Sequence, residues 1–393
     1  MKTLSLFDGM SCLQLALQSL GITPEKYYAS EIDKYAMKVT MANFPNTIQL
    51  GDVRNVKAKD LGFIDLLGGG SPCQSFSFAG KRNGMSTIDN IEIITLDHYL
   101  ELKSQKFEFE GQSYLFWEYI RILNELRVTN PNVKFILENV MMGEKWQKVI
   151  TQAIGINPIK INSALVSAQN RKRLYWTNIG AEQDGLFGDL VCKIPQPKDK
   201  GILLKDILET DVDEKYFLSE KAVNYVLDEK RQNKKYTQNG SQALKSLPHL
   251  AKNQSNFCGD FIVHNTMPRS SKTGKGGIGP LSRNDGKTYC LDTGRTNAIE
   301  IKSGTFRTHN DGKGFREVSS GKGATIPARA REDGSGQNIV SVAGNIRRLT
   351  PIECERLQTV PDNYTNHVAD TQRYKMIGNG WTIEVISHIL SYL

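Results

Sequence analysis

The apolar run Ile64-Asp-Leu-Leu67 has the length of a buried strand, and it stops at Gly68-Gly69-Gly70. A short apolar run closed by glycines is how a parallel strand ends in a turn that a ligand can approach closely. Pro72 stiffens the chain there, and Cys73 and Gln74 follow at once. The thiol thus stands at the carboxyl end of a central strand, where open α/β sheets bind their ligands. Behind it Ser75, Ser77, Gly80 and Gly84, with Lys81 and Arg82, form a segment able to fold over a bound molecule. A free cysteine is more often a small buried hydrophobe than a nucleophile, so Cys73 needs company before it has a role.

That company is spread along the chain. Residues 3–7 read as a first strand, Asp8-Gly9-Met10-Ser11 as a tight turn, and Leu13, Ala16, Leu17 and Leu20 as a helix closed by Gly21. Strand, glycine turn and helix make a nucleotide-binding opening, though the second glycine of the dinucleotide fingerprint is absent. Residues 27–33 form the next strand, ending in Glu31 and Asp33, and residues 48–53 a third, ending in Asp52. An acid at the tip of a second strand can accept hydrogen bonds from both hydroxyls of a ribose. Each acid alone reads more readily as a solvated loop carboxylate. Three consecutive tips bearing Gly9, Glu31 and Asp52 together suit an adenosine.

Further on, Ser113 to Leu126 reads as a helix whose Glu118 and Arg121 are exposed charges, and residues 133–140 as a buried strand tipped by Glu138 and Asn139. A helix with Trp146, Val149, Ile150 and Ala153 follows, then a turn and strand, Ala164 to Ile179, around Gln169, Arg171 and Arg173. The sequence assigns no role to the insertion at 85–113.

At 393 residues the chain divides naturally into two domains. Its six cysteines are scattered without a CxxC pair, which argues against zinc or disulfides and for a reducing cytoplasm. No apolar run reaches membrane-spanning length, and no signal-peptide pattern opens the sequence. The formal charge of +8 is concentrated: residues 261–331 hold 13 Lys+Arg against 5 Asp+Glu, so the remainder is neutral. Such a local surplus points to a polyanionic partner.

The texture changes after about residue 180. Helices are expected near 203–209 and 219–232, and then short apolar pieces broken by Gly, Ser, Asn and Asp, with a faint repeat opening at Gly286-Lys287 and Gly321-Lys322. A disordered linker would read similarly, but Ile278, Tyr289, Leu291, Phe306, Phe315 and Ile326 favour a small loop-rich β domain. Thr350-Pro-Ile-Glu353 is a capping box opening a helix to Gln358. The end, Thr382 to Leu393, places Ile383, Ile386, Ile389 and Leu390 on one face, suited to packing back on the first domain.

Taken in order, Phe7-Asp8-Gly9, Glu31, Asp52, Pro72-Cys73-Gln74, Glu138-Asn139-Val140, Gln169-x-Arg171-x-Arg173 and Gly378-Asn379 resemble the DNA cytosine-5 methyltransferases of bacteria and phage. Met10-Ser-Cys12 replaces the usual second glycine of the first motif. Trp381, Phe7-Asp-Gly and Leu115-Phe-Trp-Glu are similar to the eukaryotic de novo branch.

The resemblance implies a doubly wound Rossmann-like α/β domain over 1–179, a target-recognition domain over 180–345, and a segment, 346–393, that completes the first domain. It implies S-adenosylmethionine as cofactor, held by Phe7, Asp8, Gly9, Met10, Glu31, Ile32, Asp52, Val53, Pro72, Leu115, Asn379 and Trp381. Catalysis would rest on Cys73 as nucleophile and on Glu138 as the carboxyl that protonates the ring beside N3. Arg173 would hold the base carbonyl or the thiol's surroundings, with Arg171 and Gln169 at phosphate and loop contacts. The base is flipped out of double-stranded DNA. DNA contacts are expected from Gln74, Ser75, Lys81 and Arg82, and from Arg269, Arg283, Arg295, Arg307 and Arg316 in the basic stretch. The expected molecule is a cytoplasmic monomer with no membrane partner and room for a cognate restriction endonuclease. An RNA cytosine-5 methyltransferase and a catalytically silent DNA-binding regulator are the alternatives, the latter disfavoured by the intact Cys73, Glu138 and Arg173.

Overall fold

Seven strands build the central sheet: β1 (Lys2–Leu6), β2 (Lys26–Ser30), β3 (Ile48–Gln49), β4 (Leu66–Gly69), β5 (Lys134–Val140), β6 (Ile159–Asn162) and β7 (Lys172–Thr177). They lie in the order β3-β2-β1-β4-β5-β7-β6. The first five run parallel, and β7 is antiparallel to both β5 and β6. The chain winds outward from β1 in one direction and from β4 in the other, so the strand order switches between these two neighbours. That is where an open α/β sheet binds ligands.

The computed structural model describes residues 1–72, 85–184, 189–217 and 346–393, and between them 261–265, 281–283, 287–289, 291, 297–301, 304–306, 315–317 and 338–339. Cys73, Gln74, Ser75, Lys81, Arg82, Arg269, Arg295 and Arg307 lie outside the described residues. So do the helix expected at 219–232 and both glycines of the faint repeat. Arg283 and Arg316 are described as strand backbone alone.

The helices between the strands are α1 (Cys12–Ser19), α2 (Lys34–Asn43), α3 (Leu96–Ser104), α4 (Phe116–Thr129) and α5 (Glu144–Ile154). Near the end come α6 (Pro351–Leu357), α7 (Asp370–Asn379) and α8 (Ile383–Leu390). The chain separates into one unit of residues 1–202 with 354–393, and a second of residues 203–353. In the first unit α8 buries Ile383, Val385, Ile386, Ile389 and Leu390. It packs on α1, where Ser387 and Ser19 share a 2.6 Å hydrogen bond. Full burial of each such aliphatic side chain is worth about 1.5–3 kcal/mol, enough to hold a short helix with little propensity of its own.

The second unit contains a four-stranded antiparallel sheet of residues 281–283, 261–265, 297–301 and 346–348, in that order, and a three-stranded one of 315–317, 304–306 and 338–339. The capping box forms: Thr350 N donates to Glu353 Oε2 at 2.8 Å, and Glu353 N to Thr350 Oγ1 at 3.2 Å. The helix expected at 203–209 is only a 3-10 turn, Leu204–Asp206.

Two expectations need correction. Glu118 is not an exposed charge: it is fully buried, and it accepts from Tyr99 Oη, Lys103 Nζ and Arg121 Nε. Two of those donors come from α3, inside the insertion, whose packing the local pattern around Glu118 does not reveal. The strand expected to run to Asp52 stops at Gln49, because Gly51 turns the backbone into the left-handed region at φ 73°.

Candidate active site

Strand register decides what meets what. Leu6 is level with Ser30 on one side and Gly69 on the other, and Gly69 with Leu137. The residues just beyond therefore emerge along one sheet edge: residues 7–9, 31–33, 70–72 and Glu138. All of these line a single cavity of about 580 Å³. Its remaining wall includes Leu115, Arg171, Arg173, Lys375, Met376 and residues 378–381.

At the β1 end the turn is tightly wound. Phe7, Gly9 and Ser11 all hold positive φ (56°, 58° and 62°), so Ser11, a non-glycine residue, keeps a left-handed backbone. Its hydroxyl donates to Asp8 Oδ2 at 2.5 Å, and Tyr27 Oη donates to Asp8 Oδ1 at 2.7 Å. Burial nonetheless dominates and pushes the Asp8 carboxyl up to about 6.

Glu31 Oε2 accepts from Gly9 N at 2.8 Å, and Oε1 from Ile32 N and Asp33 N, each at 2.8 Å. A carboxylate has about four acceptor sites, so Glu31 keeps one on Oε2 for a hydroxyl. Phe7 and Ile32, both in the lining, supply apolar surface beside it.

Asp52 stands apart. Arg54 Nε lies 2.9 and 3.0 Å from its two oxygens, and Nη2 2.5 Å from Oδ2, which holds the carboxyl below its usual range. Asp52, Val53 and Met10 are not among the cavity-lining residues.

At the β4–β5 end, Glu138 is 8 % exposed, with Oε1 2.9 Å from Arg173 Nε. A Cβ added at Gly70 would lie 2.8 Å from Trp381 Nε1 and 3.3 Å from Glu138 Oε2, so the indole, the carboxylate and the backbone leading to Cys73 converge.

Arg171, expected at phosphate and loop contacts, is buried. It donates to Gly378 O at 3.2 Å and Gly380 O at 2.9 Å, carbonyls of the C-terminal segment. Gln169 is fully buried and outside the lining, with Nε2 3.4 Å from Leu357 O. The two side chains therefore fasten the returning segment to the sheet.

The cavity is also lined by a thiol that the sequence did not single out as a site residue, Cys12. Cys12 Sγ accepts from Trp381 N at 3.3 Å, and burial pushes it up to about 12, so it stays protonated near neutrality. Asp33, Gln112, Lys375 and Met376 are further lining residues without a sequence assignment. Asp33 had a signal as an acid beside Glu31; Lys375 had none.

This donor set fits S-adenosylmethionine. The Glu31 carboxylate suits a ribose, Phe7 and Ile32 suit an adenine face, and the open backbone at Gly9, with nothing within 4 Å of an added Cβ, allows close approach.

A family model described as C-5 cytosine-specific DNA methylase matches residues 1–97 and 103–393. The orphan methyltransferase M.SPRI of Bacillus phage SPR is 27% identical over 452 aligned residues, covering 100% of this chain and 97% of that protein. The type II methyltransferase M1.ScrFI of Lactococcus lactis subsp. cremoris is 27% identical, covering 99% and 76%. Among solved structures, the methyltransferase EhMeth of Entamoeba histolytica superposes with a TM-score of 0.55 at 14% identity, covering 100% and 97%, a likeness of fold.

Proposed function

This chain belongs to the C-5 cytosine-specific DNA methylase family, and from that membership we propose how its own residues carry the reaction. It is an S-adenosylmethionine-dependent DNA cytosine-5 methyltransferase. The observation that carries the residue assignment is the Glu138–Arg173 pair beside Gly70, in the same cavity as Gly9 and Glu31.

Carbon 5 of cytosine is a poor nucleophile inside an intact aromatic ring. Cys73, as thiolate, bonds to carbon 6, and the displaced electron pair moves through the ring toward N3. Glu138 delivers a proton to N3, and the Arg173 guanidinium steadies the carboxylate left behind. The ring is then enamine-like, and carbon 5 can take a methyl group. S-adenosylmethionine, when bound, supplies that methyl on a positively charged sulfur. A base then removes the carbon 5 proton, the Cys73 sulfur leaves with the electron pair it brought, the N3 proton returns to the Glu138 carboxylate, and aromaticity returns. Glu31 and Phe7 orient the cofactor.

The basic stretch 261–331 would dock on duplex DNA, its lysines positioning the domain and a subset of its arginines reading bases. The chemistry needs only a monomer, in the cytoplasm where DNA is accessible. A cognate endonuclease is the expected partner if the chain works as its type II relative does, and none if it works as the orphan one does. Exchanging residues 180–345 for those of a relative with another target tests the recognition reading. An active chimera that keeps the original site defeats it.

Duplex DNA containing 5-fluorocytosine tests the chemistry, because fluorine cannot leave as a proton does. The wild-type protein should be trapped as a covalent adduct and Cys73→Ala should not. An adduct on Cys73→Ala would place the nucleophile elsewhere. For the cofactor, Glu31→Ala should weaken binding by about 1–3 kcal/mol, the range for a hydrogen bond to a charged group. Unchanged affinity by calorimetry removes that assignment.

A further inference from the structure

Part of the cavity wall comes from the far end of the chain, and one contact ties it to the strand tips. Lys375 Nζ of α7 donates to Asp33 Oδ2 at 2.7 Å, across 342 positions of sequence. Both residues line the cavity, and their side chains are 50% and 28% exposed, which puts the pair at its rim. The next residues of the same segment, Met376 and 378–381, are wall residues.

Asp33 divides its two oxygens. Oδ1 caps α2, accepting from Tyr35 N at 2.9 Å, and Oδ2 takes the lysine. Its backbone N–H is in turn held by Glu31 Oε1 at 2.8 Å, while Glu31 Oε2 holds Gly9 N at 2.8 Å. A continuous run of contacts therefore joins the β1 turn, the β2 tip and α7. Burial alone would push the Asp33 carboxyl up. The hydrogen bonds from Lys375 and from the capping backbone outweigh burial and hold it below its usual range, so Asp33 is ionised at neutral pH.

We propose that Lys375 and Asp33 are cofactor-positioning residues, their ion pair drawing the wall at 376–381 against the Glu31 tip and narrowing the rim through which cofactor enters and leaves. This rests on the cavity being the S-adenosylmethionine site. A half-exposed pair contributes little to overall stability, so its effect should appear in ligand retention.

The test is a double-mutant cycle with Asp33→Asn, which keeps the Oδ1 cap, and Lys375→Met, which keeps the aliphatic stem. S-adenosylhomocysteine is the probe, by calorimetry and by dissociation kinetics. Each single variant should bind about threefold to fivefold more weakly, through faster release, and the double variant no worse than either. Lys375→Arg should recover most of the affinity, and the differences should shrink between roughly 50 and 300 mM salt. In turnover the loss should fall on KM for S-adenosylmethionine rather than on kcat, with the ligand-free melting temperature unmoved.

Additive losses in the double variant overturn the proposal. So does a loss in Lys375→Met that Asp33→Asn does not share, because the lysine would then touch the ligand directly. If the wild-type protein binds no S-adenosylhomocysteine, the cofactor reading itself fails and the proposal falls with it.

Discussion

Glu118 and Glu138 are both buried carboxylates facing an arginine, in the same unit of the chain, and they are built for different ends. Glu118 receives Tyr99 Oη and Lys103 Nζ on Oε1, both at 2.5 Å, and Arg121 Nε on Oε2 at 2.7 Å. Arg121 continues to Glu125 Oε1 and to Val56 O, so the knot ties the 85–113 insertion and the chain after β3 to α4. Glu138 stands at a strand end in the cavity lining, with Arg173 Nε paired to Oε1 at 2.9 Å and no hydrogen bond to Oε2 among the described residues. The same functional group therefore serves two purposes. Saturated with donors it holds structure, and left with a free oxygen at a cavity it can move a proton.

The sharpest break in that comparison is to neutralise each carboxylate in turn. Glu138→Gln should slow methyl transfer by about 10²–10⁴-fold, the usual worth of a positioned proton donor, with thermal stability nearly intact. Single-turnover assays on duplex DNA measure it. A mild kinetic loss accompanied by unfolding would make Glu138 structural like its counterpart. Glu118→Ala should do the reverse, costing about 3–5 kcal/mol in urea denaturation because Arg121 and Lys103 lose their buried partner. Activity per folded molecule should hold. If stability is unchanged, the knot carries none of the insertion's docking.

The same contrast explains what could be read from the sequence. Gly9, Glu31, Gly70 and Glu138 were legible because a strand tip is a local pattern, and parallel pairing then brings all such tips to one edge. Thr350 and Glu353 were legible because a capping box lies within four residues. Glu118 was misread because its donors stand 15 and 19 positions away on another helix. Arg171 was expected at phosphate and loop contacts, and nothing near it in sequence announces the carbonyls it holds, 207 and 209 positions distant. Asp52 looked like Glu31 by pattern, but the strand before it ended early and Arg54 closed on the carboxylate.

Asp8 lies between the two extremes and makes the comparison titratable. It is buried, lines the cavity, and has two neutral hydroxyl donors where Glu118 has two cations. Because burial raises it from 3.8 to about 6, the folded protein holds this proton more tightly than the unfolded chain does. Its contribution to stability is therefore greatest below about pH 4, falls as pH rises to about 6, and stays level above that. The full swing is at most about 3 kcal/mol for a shift of roughly two units. Asp8→Asn cannot titrate, so its stability relative to wild type should rise across that window in urea melts at pH 4 and pH 7. A difference that does not change with pH would mean the carboxyl is better compensated than its two donors suggest.

The smallest effect is expected at Ser11, and it separates donor from backbone. Ser11 sits at φ 62° and ψ 44°, where a non-glycine residue costs about 1 kcal/mol, so Ser11→Gly removes strain. Against that, glycine frees the unfolded chain by about 0.5–1 kcal/mol, and the 2.5 Å hydrogen bond to Asp8 Oδ2, worth about 0.5–1.5 kcal/mol, is lost. These nearly cancel, and the net change should stay within about 1 kcal/mol. Its pH dependence should not cancel. The hydroxyl stabilises the ionised carboxylate more than the neutral acid, so its loss should matter little at pH 4 and more at pH 7. Ser11→Gly should therefore lose ground to wild type as pH rises, while Asp8→Asn gains it over the same interval. If Ser11→Gly and wild type run parallel in paired urea melts, the hydroxyl does not steady Asp8, and the serine is there for the turn alone.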